Sequence, residues 1–218
     1  MVTDREFEMT SHPLRTSIAD FVAGLRGMEG DLITKDRIAA YMAATPLRPE
    51  ALNGYVWWRD SLYTRNLIYR DDLFEVMAIC WSPGQKTAIH THNGQLGWMT
   101  VVQGEVATHE FRHTSCNAPG NQNVVNIDCL GGATELHLDR LGTSVCSEGS
   151  GMVTVDKLQT IHQIENSGTT GCVSLHVYSK PFDSCIAFDL EQQRCYRRAL
   201  SYFSKDGHLV GDGRVAGA

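Results

Sequence analysis

Three histidines fall in a pattern that could hold a metal ion. In Ala88-Ile89-His90-Thr91-His92 a strand would send successive side chains to opposite faces. His90 and His92 would then share one face, with Ile89 on the other. The stretch Thr160-Ile161-His162-Gln163-Ile164 offers a third imidazole, on the face opposite Ile161. Imidazoles brought together on one face of a small barrel can be ligands of one metal. A two-histidine, one-carboxylate set would suit a non-haem Fe(II) centre with open positions. Three neutral histidines instead leave the 2+ charge of the metal uncompensated, which favours an anionic ligand. A thiolate is one: a free thiol titrates near ~8.5, and coordination to a metal deprotonates it. Zinc also accepts three histidines, so the ligands alone do not choose the metal. The plainer alternative is three unrelated histidines, two on a polar strand face and one satisfied by a hydrogen bond.

A second pattern lies in Cys172-Val173-Ser174-Leu175-His176-Val177-Tyr178-Ser179. Alternation puts Ser174, His176 and Tyr178 on one face and Val173, Leu175 and Val177 on the other. Facing inward, the polar row would orient a phenol and hold or pass a proton. Facing outward, it would be the solvated side of an edge strand. Arg65 has the planar fork that suits a carboxylate, although arginines are mostly surface residues. His109 and His113, among Glu110 and Arg112, read as a solvated face, and so does His137. His12 and His208 lie near flexible ends. Cys185 reads as a packed small hydrophobe rather than a nucleophile.

These side chains need elements to carry them. Ser17 is a candidate N-cap before Ile18, Phe21, Val22 and Leu25, which recur at helical spacing, and Thr34 precedes a second run through Ile38, Ala39, Tyr41 and Met42. Thr45-Pro46 stops that run, since a residue before proline avoids the helical region. Pro49, Glu50 and Leu52 suggest one more short turn. Beyond Tyr63 the texture becomes short segments rich in Val, Ile, Thr and aromatics between Gly, Asn, Asp and Pro. Expected strands are Leu62–Tyr69, Leu73–Trp81, Thr87–His92, Trp98–Gln103, Val106–His113, Thr134–Leu138, Thr143–Cys146, Met152–Val155, Thr160–Glu165 and Cys172–Ser179. Thr114–Val124 reads as a loop, and the chain beyond Leu200, Gly-rich over Gly207–Ala218, is expected to fray. So many short strands imply an all-β sandwich or barrel core carrying N-terminal helices.

The 218 residues are 42% hydrophobic and 20% charged, with net charge -6, the profile of an ordinary globular chain. The acidic excess, without any cluster of Lys and Arg, argues against a nucleic-acid partner. No run of about 18 apolar residues occurs, so no membrane helix is expected. Met1–Phe7 has no apolar stretch, so no secretory leader is expected either. Seven cysteines with no Cys-x-x-Cys favour reduced thiols and a cytoplasmic location over a disulfide framework or a zinc cluster.

Gly84, His90 and His92 followed by Gly97 and Gly104 resemble the first cupin motif. Gly151, His162 and Asn166 resemble the second. The chain departs from these motifs at Gly97, where a Glu ligand is usual, and at Lys157 and Gln159, where Pro and Gly are usual. The resemblance narrows further with Tyr63-Thr64-Arg65-Asn66-Leu67, Cys80-Trp81, His162-Gln163-Ile164-Glu165-Asn166, and Ser174-Leu175-His176-Val177-Tyr178-Ser179 with Pro181-Phe182-Asp183. Together these resemble the cysteine dioxygenase family, from about Tyr63 to Asp189.

The resemblance implies a cupin, a small β-barrel or jelly roll with N-terminal helices, as a single domain over 1–218. Residues 1–55 would form the helical segment, 56–190 the barrel core and 191–218 a C-terminal tail. It implies one Fe(II) per chain on His90, His92 and His162. Arg65, with Tyr63 beside it, would bind the substrate carboxylate. Tyr178 would hydrogen-bond the substrate or oxygen, oriented by His176 and Ser174. The activity implied is oxidation of L-cysteine by O2 to cysteine sulfinic acid. In the family an arginine at this position goes with cysteine and a glutamine with 3-mercaptopropionate. Lys180-Pro181, where cysteine-specific members usually have Pro-Pro, keeps 3-mercaptopropionate or another small carboxylated thiol as an alternative. The animal enzymes cross-link a cysteine to the tyrosine; Gly97 stands in its place, so no thioether is expected on Tyr178. Other classes sharing the histidines are a metal-binding cupin without turnover, which has no need of Arg65 or of the polar row, and a zinc or manganese hydrolase or isomerase. The latter usually wants an acid–base carboxylate or lysine. The expected partners are a small thiol and O2, and a monomer is compatible with the sequence.

Overall fold

The computed structural model describes residues 16–117, 135–156 and 160–210. Both helices begin where the caps predict. Ser17 Oγ accepts from the Asp20 N–H at 3.1 Å and opens α1 (Ile18–Arg26). Thr34 Oγ1 accepts from the Arg37 N–H at 3.3 Å and opens α2 (Lys35–Ala44). Each cap satisfies a backbone donor left free at a helix start. Thr45 ends α2 before Pro46, and Pro49–Tyr55 forms a 3-10 turn.

Thirteen strands follow among the described residues: β1 Thr64–Arg70, β2 Glu75–Trp81, β3 Ile89–His90, β4 Leu96–Gln103, β5 Glu105–Cys116, β6 Leu136–Ser147, β7 Met152–Val155, β8 Ile161–Glu165, β9 Cys172–Ser179, β10 Ser184–Asp189, β11 Arg194–Ala199, β12 Ser204–Lys205 and β13 His208–Leu209. They form two sheets. One has seven strands in the order β13-β12-β1-β2-β9-β4-β7, and the other six in the order β11-β10-β3-β8-β5-β6. This is the expected cupin: a mostly β fold of two sheets with helices at the N-terminal side.

The helices cover the outer face of the seven-stranded sheet. Phe21, Leu25, Ile38 and Met42 pack there against Val76, Ala78, Val173, Leu175 and Val177. Trp98 Nε1 donates to Lys35 O at 2.9 Å across this contact. The inner face meets the six-stranded sheet through Met77, Ile79, Trp81, Met99, Val101, Val106 and Ile164. All eight residues of β9 are therefore buried. Its odd residues lie under the helices, so its even residues, Ser174, His176 and Tyr178, must face between the sheets.

Several expectations change. Thr134–Leu138 and Thr143–Cys146 merge, over the described residues, into β6, which pairs along most of β5. The expected strand Thr87–His92 shrinks to Ile89–His90. Residues 191–210 are not a tail: β11 pairs with β10, and β12 lies parallel to β1. Backbone bonds Phe203 N–H to Arg65 O (2.8 Å) and Asp206 N–H to Leu67 O (3.0 Å) fasten this return, so the expected fraying after Leu200 does not hold to residue 210. The stretch is polar and charged, and each β11 residue takes its place from its partner in β10. His113 is buried rather than solvated, with neither ring nitrogen hydrogen-bonded. His109 is mostly covered and meets Thr143 Oγ1 and Glu165 Oε2. His109 pairs with Gln163 and Glu110 with His162, so His109 lies on the face of β5 away from the histidine cluster, and His113 pairs with Leu138. His137 is exposed as expected. His12, the 118–124 part of the loop, Lys157, Gln159 and residues 211–218 lie outside the described residues.

Candidate metal centre and adjoining pocket

The three histidines converge. His90 in β3 stands directly opposite His162 in β8, so the pairing gives them the same face. His92, two residues on, returns to that face beyond the end of β3. Ring centroids are 5.0 Å apart for His90 and His92, 4.8 Å for His90 and His162, and 4.7 Å for His92 and His162. One nitrogen from each lies within 4.8 Å of the others.

Their hydrogen bonding leaves nitrogens to spare. His90 Nδ1 lies 2.9 Å from Ala88 O, so Nδ1 carries the proton and Nε2 offers a lone pair. His92 Nδ1 and both ring nitrogens of His162 are buried without any partner. Buried polar atoms are normally satisfied, and a metal ion on the three rings would satisfy the ones that face it. Burial holds all three imidazoles in the neutral, ligating form: it pushes His90 down to about 4 and the other two well below the ordinary histidine value. The donor set thus fits a divalent metal.

The polar row of β9 stands beside this cluster. Trp81 Nε1 donates to Ser174 Oγ at 2.8 Å. Ser174 Oγ lies 2.8 Å from His176 Nε2, and His176 Nδ1 lies 3.1 Å from the Tyr178 hydroxyl. Burial lowers His176 to about 3 and raises the Tyr178 phenol. Tyr178 also stacks toward His92, with ring centroids 5.9 Å apart. Gly97 in β4 is directly opposite Tyr178. A Cβ there would come within 2.9 Å of the Tyr178 ring and 2.6 Å of Val155. The ring occupies the space a side chain at 97 would need.

One pocket gathers His90, His176 and Tyr178 with Tyr63, Arg65 and Trp81. Tyr63 stacks on Trp81 at 4.7 Å. Arg65, held by β1, is nearly buried and lies 3.7 Å from the fully buried Glu75 carboxylate. Its guanidinium also sits 5.3 Å from the Tyr202 ring centroid and reaches Ser201 O at 3.5 Å. The Tyr202 hydroxyl donates to Glu75 Oε1. Arg70 adds bonds of 2.7 Å to both Tyr202 and Asp183. Burial raises Glu75 against the pull of Arg65 and Arg70. Cys185 lines the same pocket, buried, with its thiol pushed up by desolvation, which suits packing rather than nucleophilic attack. Sequence reasoning did not find Glu75, Tyr202 or the Trp81 donor. A buried acid at the end of an otherwise apolar strand was the available signal for Glu75. The Ser179–Lys180 peptide is cis.

The two-sheet fold and its inward histidine triad define a metal-binding cupin. Residues 8–191 match the family model for cysteine dioxygenase type I, and the chain belongs to that family. It is 27% identical over 194 residues to cysteine dioxygenase type 1 of Homo sapiens, covering 88% of each chain. The Rattus norvegicus enzyme of that name is 26% identical over the same coverage. Among solved structures, TT1209 of Thermus thermophilus is 13% identical, covering 60% of this chain and 95% of that one, with TM-score 0.41. The cupin domain of Schizosaccharomyces pombe Cnp3 is 8% identical, covering 55% and 61%, with TM-score 0.38. The protein is thus a thiol dioxygenase with a three-histidine metal site, and a thiol and O2 are the reactants its family implies. No helix of the described residues is long and apolar enough to cross a membrane.

Proposed function

We propose that the protein oxidises L-cysteine with O2 to cysteine sulfinic acid, with one Fe(II) per chain on His90, His92 and His162. The observation that carries this reading is that one pocket holds a histidine ligand, the Tyr178 phenol and the Arg65 guanidinium together. The balance is simple: sulfur is oxidised, O2 is reduced, and R–SH plus O2 gives R–SO2H with no other reactant. Iron, when bound, supplies a Lewis-acidic, redox-active centre that favours the thiolate.

Each residue then has a role set by its surroundings. Arg65 binds the carboxylate with its fork, and Tyr63, stacked on Trp81, walls that side. Fixing the carboxylate holds the sulfur at one place and converts an encounter into an intramolecular step. Tyr178 keeps a neutral phenol, and its hydroxyl donates toward the charge that develops on the reacting atoms. Ser174 and His176 position that hydroxyl. Cys80, Cys146, Cys172 and Cys185 are buried thiols outside any disulfide, in keeping with a cytoplasmic location.

The test is oxygen uptake by Fe(II)-loaded protein, started with L-cysteine or 3-mercaptopropionate in separate reactions, with mass detection of the sulfinate. One O2 consumed per cysteine sulfinate formed is the expected result. Preference for 3-mercaptopropionate would keep the chemistry and reassign the substrate. Absence of uptake with either thiol, in protein that retains iron, would favour a cupin without turnover. Arg65→Gln should raise KM for cysteine strongly, and an unchanged KM would remove Arg65 from carboxylate binding.

A further inference from the structure

A second guanidinium reaches this pocket from an unexpected quarter. β11 carries the pair Arg197-Arg198, and alternation sends the two to opposite faces. The register decides which goes inward. Arg198 pairs with Cys185, and in the same ladder Ala187 pairs both with Tyr196 and with His90. Cys185 and His90 both line the inner pocket, so Arg198 shares their face. Arg197 takes the outer one, where it meets Ser184 Oγ at 3.3 Å and is exposed.

Arg198 is half-buried and lines both the inner pocket and the chamber outside it. The residues common to the two are Tyr63, Arg65, Arg198 and Leu200. The two arginines therefore flank the neck between solvent and the histidine cluster. They differ in their partners. Arg65 has Glu75 at 3.7 Å, Ser201 O and the Tyr202 ring. Among the described residues no carboxylate lies within ion-pair distance of Arg198; the arginine ion pairs there belong to Arg65, Arg70, Arg112 and Arg194. A partly desolvated guanidinium without a counter-ion costs free energy unless a ligand supplies one.

We propose that Arg198 is a second carboxylate-binding residue that shares the substrate's carboxylate with Arg65 at the neck of the pocket. The inference rests on the reading of the substrate as a small carboxylated thiol. Two forks on one carboxylate satisfy both of its oxygens, and the shared site explains why Arg65 can keep Glu75 as a neighbour and still hold substrate.

The experiment compares L-cysteine with cysteamine, which keeps the thiol and amine and lacks the carboxylate. Binding of each to anaerobic iron-loaded protein is measured by calorimetry, for the wild type, Arg198→Gln, Arg198→Lys and Arg197→Gln. Arg198→Gln should weaken cysteine about tenfold, the scale of one hydrogen bond to a charged group, and leave cysteamine within about twofold. Arg198→Lys should recover part of the loss, and Arg197→Gln should change neither ligand. Equal losses for both ligands, or unaltered cysteine binding in Arg198→Gln, would overturn the role of Arg198. Oxygen uptake separates this from the parent reading. Selective loss of cysteine binding without sulfinate formation in the wild type sinks the dioxygenase assignment and keeps Arg198. Sulfinate formation with the same KM in Arg198→Gln does the reverse.

Discussion

At the scale of single residues, the direction of the buried hydrogen-bond chain can be deduced. An indole N–H only donates, so Ser174 accepts from Trp81. The Ser174 hydroxyl has one other described neighbour, His176 Nε2, and is buried, so its own hydrogen must point there. His176 Nδ1 then carries the remaining proton and donates to the Tyr178 oxygen. The phenol hydrogen is left free to point into the pocket. Tyr178→Phe should lower kcat roughly 10²-fold, the usual scale for losing one preorganised donor, with a smaller change in KM. Ser174→Ala should lower kcat less and leave the metal content unchanged, as read by metal analysis of the purified variant. Loss of iron in Ser174→Ala would show that the row supports the ligands instead. The histidines and this row were legible because period-two alternation needs no knowledge of partners. Arg198 was not, because a doubled arginine in a polar stretch has no face until β10 supplies one.

At the scale of elements, β9 is legible as a strand but its environment is not. The same alternation fits an edge strand with a wet polar side. What decides is that β9 lies between β2 and β4, with helices over its apolar residues. Opposite it, Gly97 lets β4 pass close to the Tyr178 ring. Gly97→Ala should push that ring aside or force Val155 to move, costing about 1–3 kcal/mol of stability as overpacking does, and should lower kcat along with Tm. A variant with wild-type Tm and kcat would mean that the two strands spread freely. Gly97 also offers no thiol for the cross-link made by the animal enzymes, so the intact mass should lack the loss of two hydrogens that a thioether on Tyr178 would give. The caps at Ser17 and Thr34 were readable from local chemistry. β11 to β13 were overlooked because short, polar strands carry little hydrophobic pattern and take their form from pairing, and β10 because its apolar run Cys185–Phe188 is too short to tell strand from helix without its partners.

At the scale of the whole molecule, burying several neutral histidines ties stability to pH. His176 titrates at about 3 in the folded protein against an ordinary value near ~6.5. Below about 6.5 the unfolded chain takes up a proton that the folded one refuses until about 3, so stability falls as pH falls through that window. Each such group contributes up to about 1.4 kcal/mol per pH unit. Metal-free wild type should therefore lose Tm on acidification faster than His176→Gln, narrowing the gap between them from pH 6.5 to pH 4. A gap that stays constant would mean that His176 is protonated or solvated in the fold.

The parallel pairing of β12 with β1 sets the order in which the site can be assembled during synthesis. β1 emerges from the ribosome with Arg65 on it, yet its outer edge waits for Ser204 and Lys205, and its Arg65 carbonyl waits for the Phe203 N–H. The histidines and Tyr178 are already made by then. A nascent chain could therefore gather its metal ligands while Phe203 to Lys205, which complete the wall beside Arg65, are still inside the exit tunnel. Under the proposed function, recognition would then be the last property the polypeptide acquires.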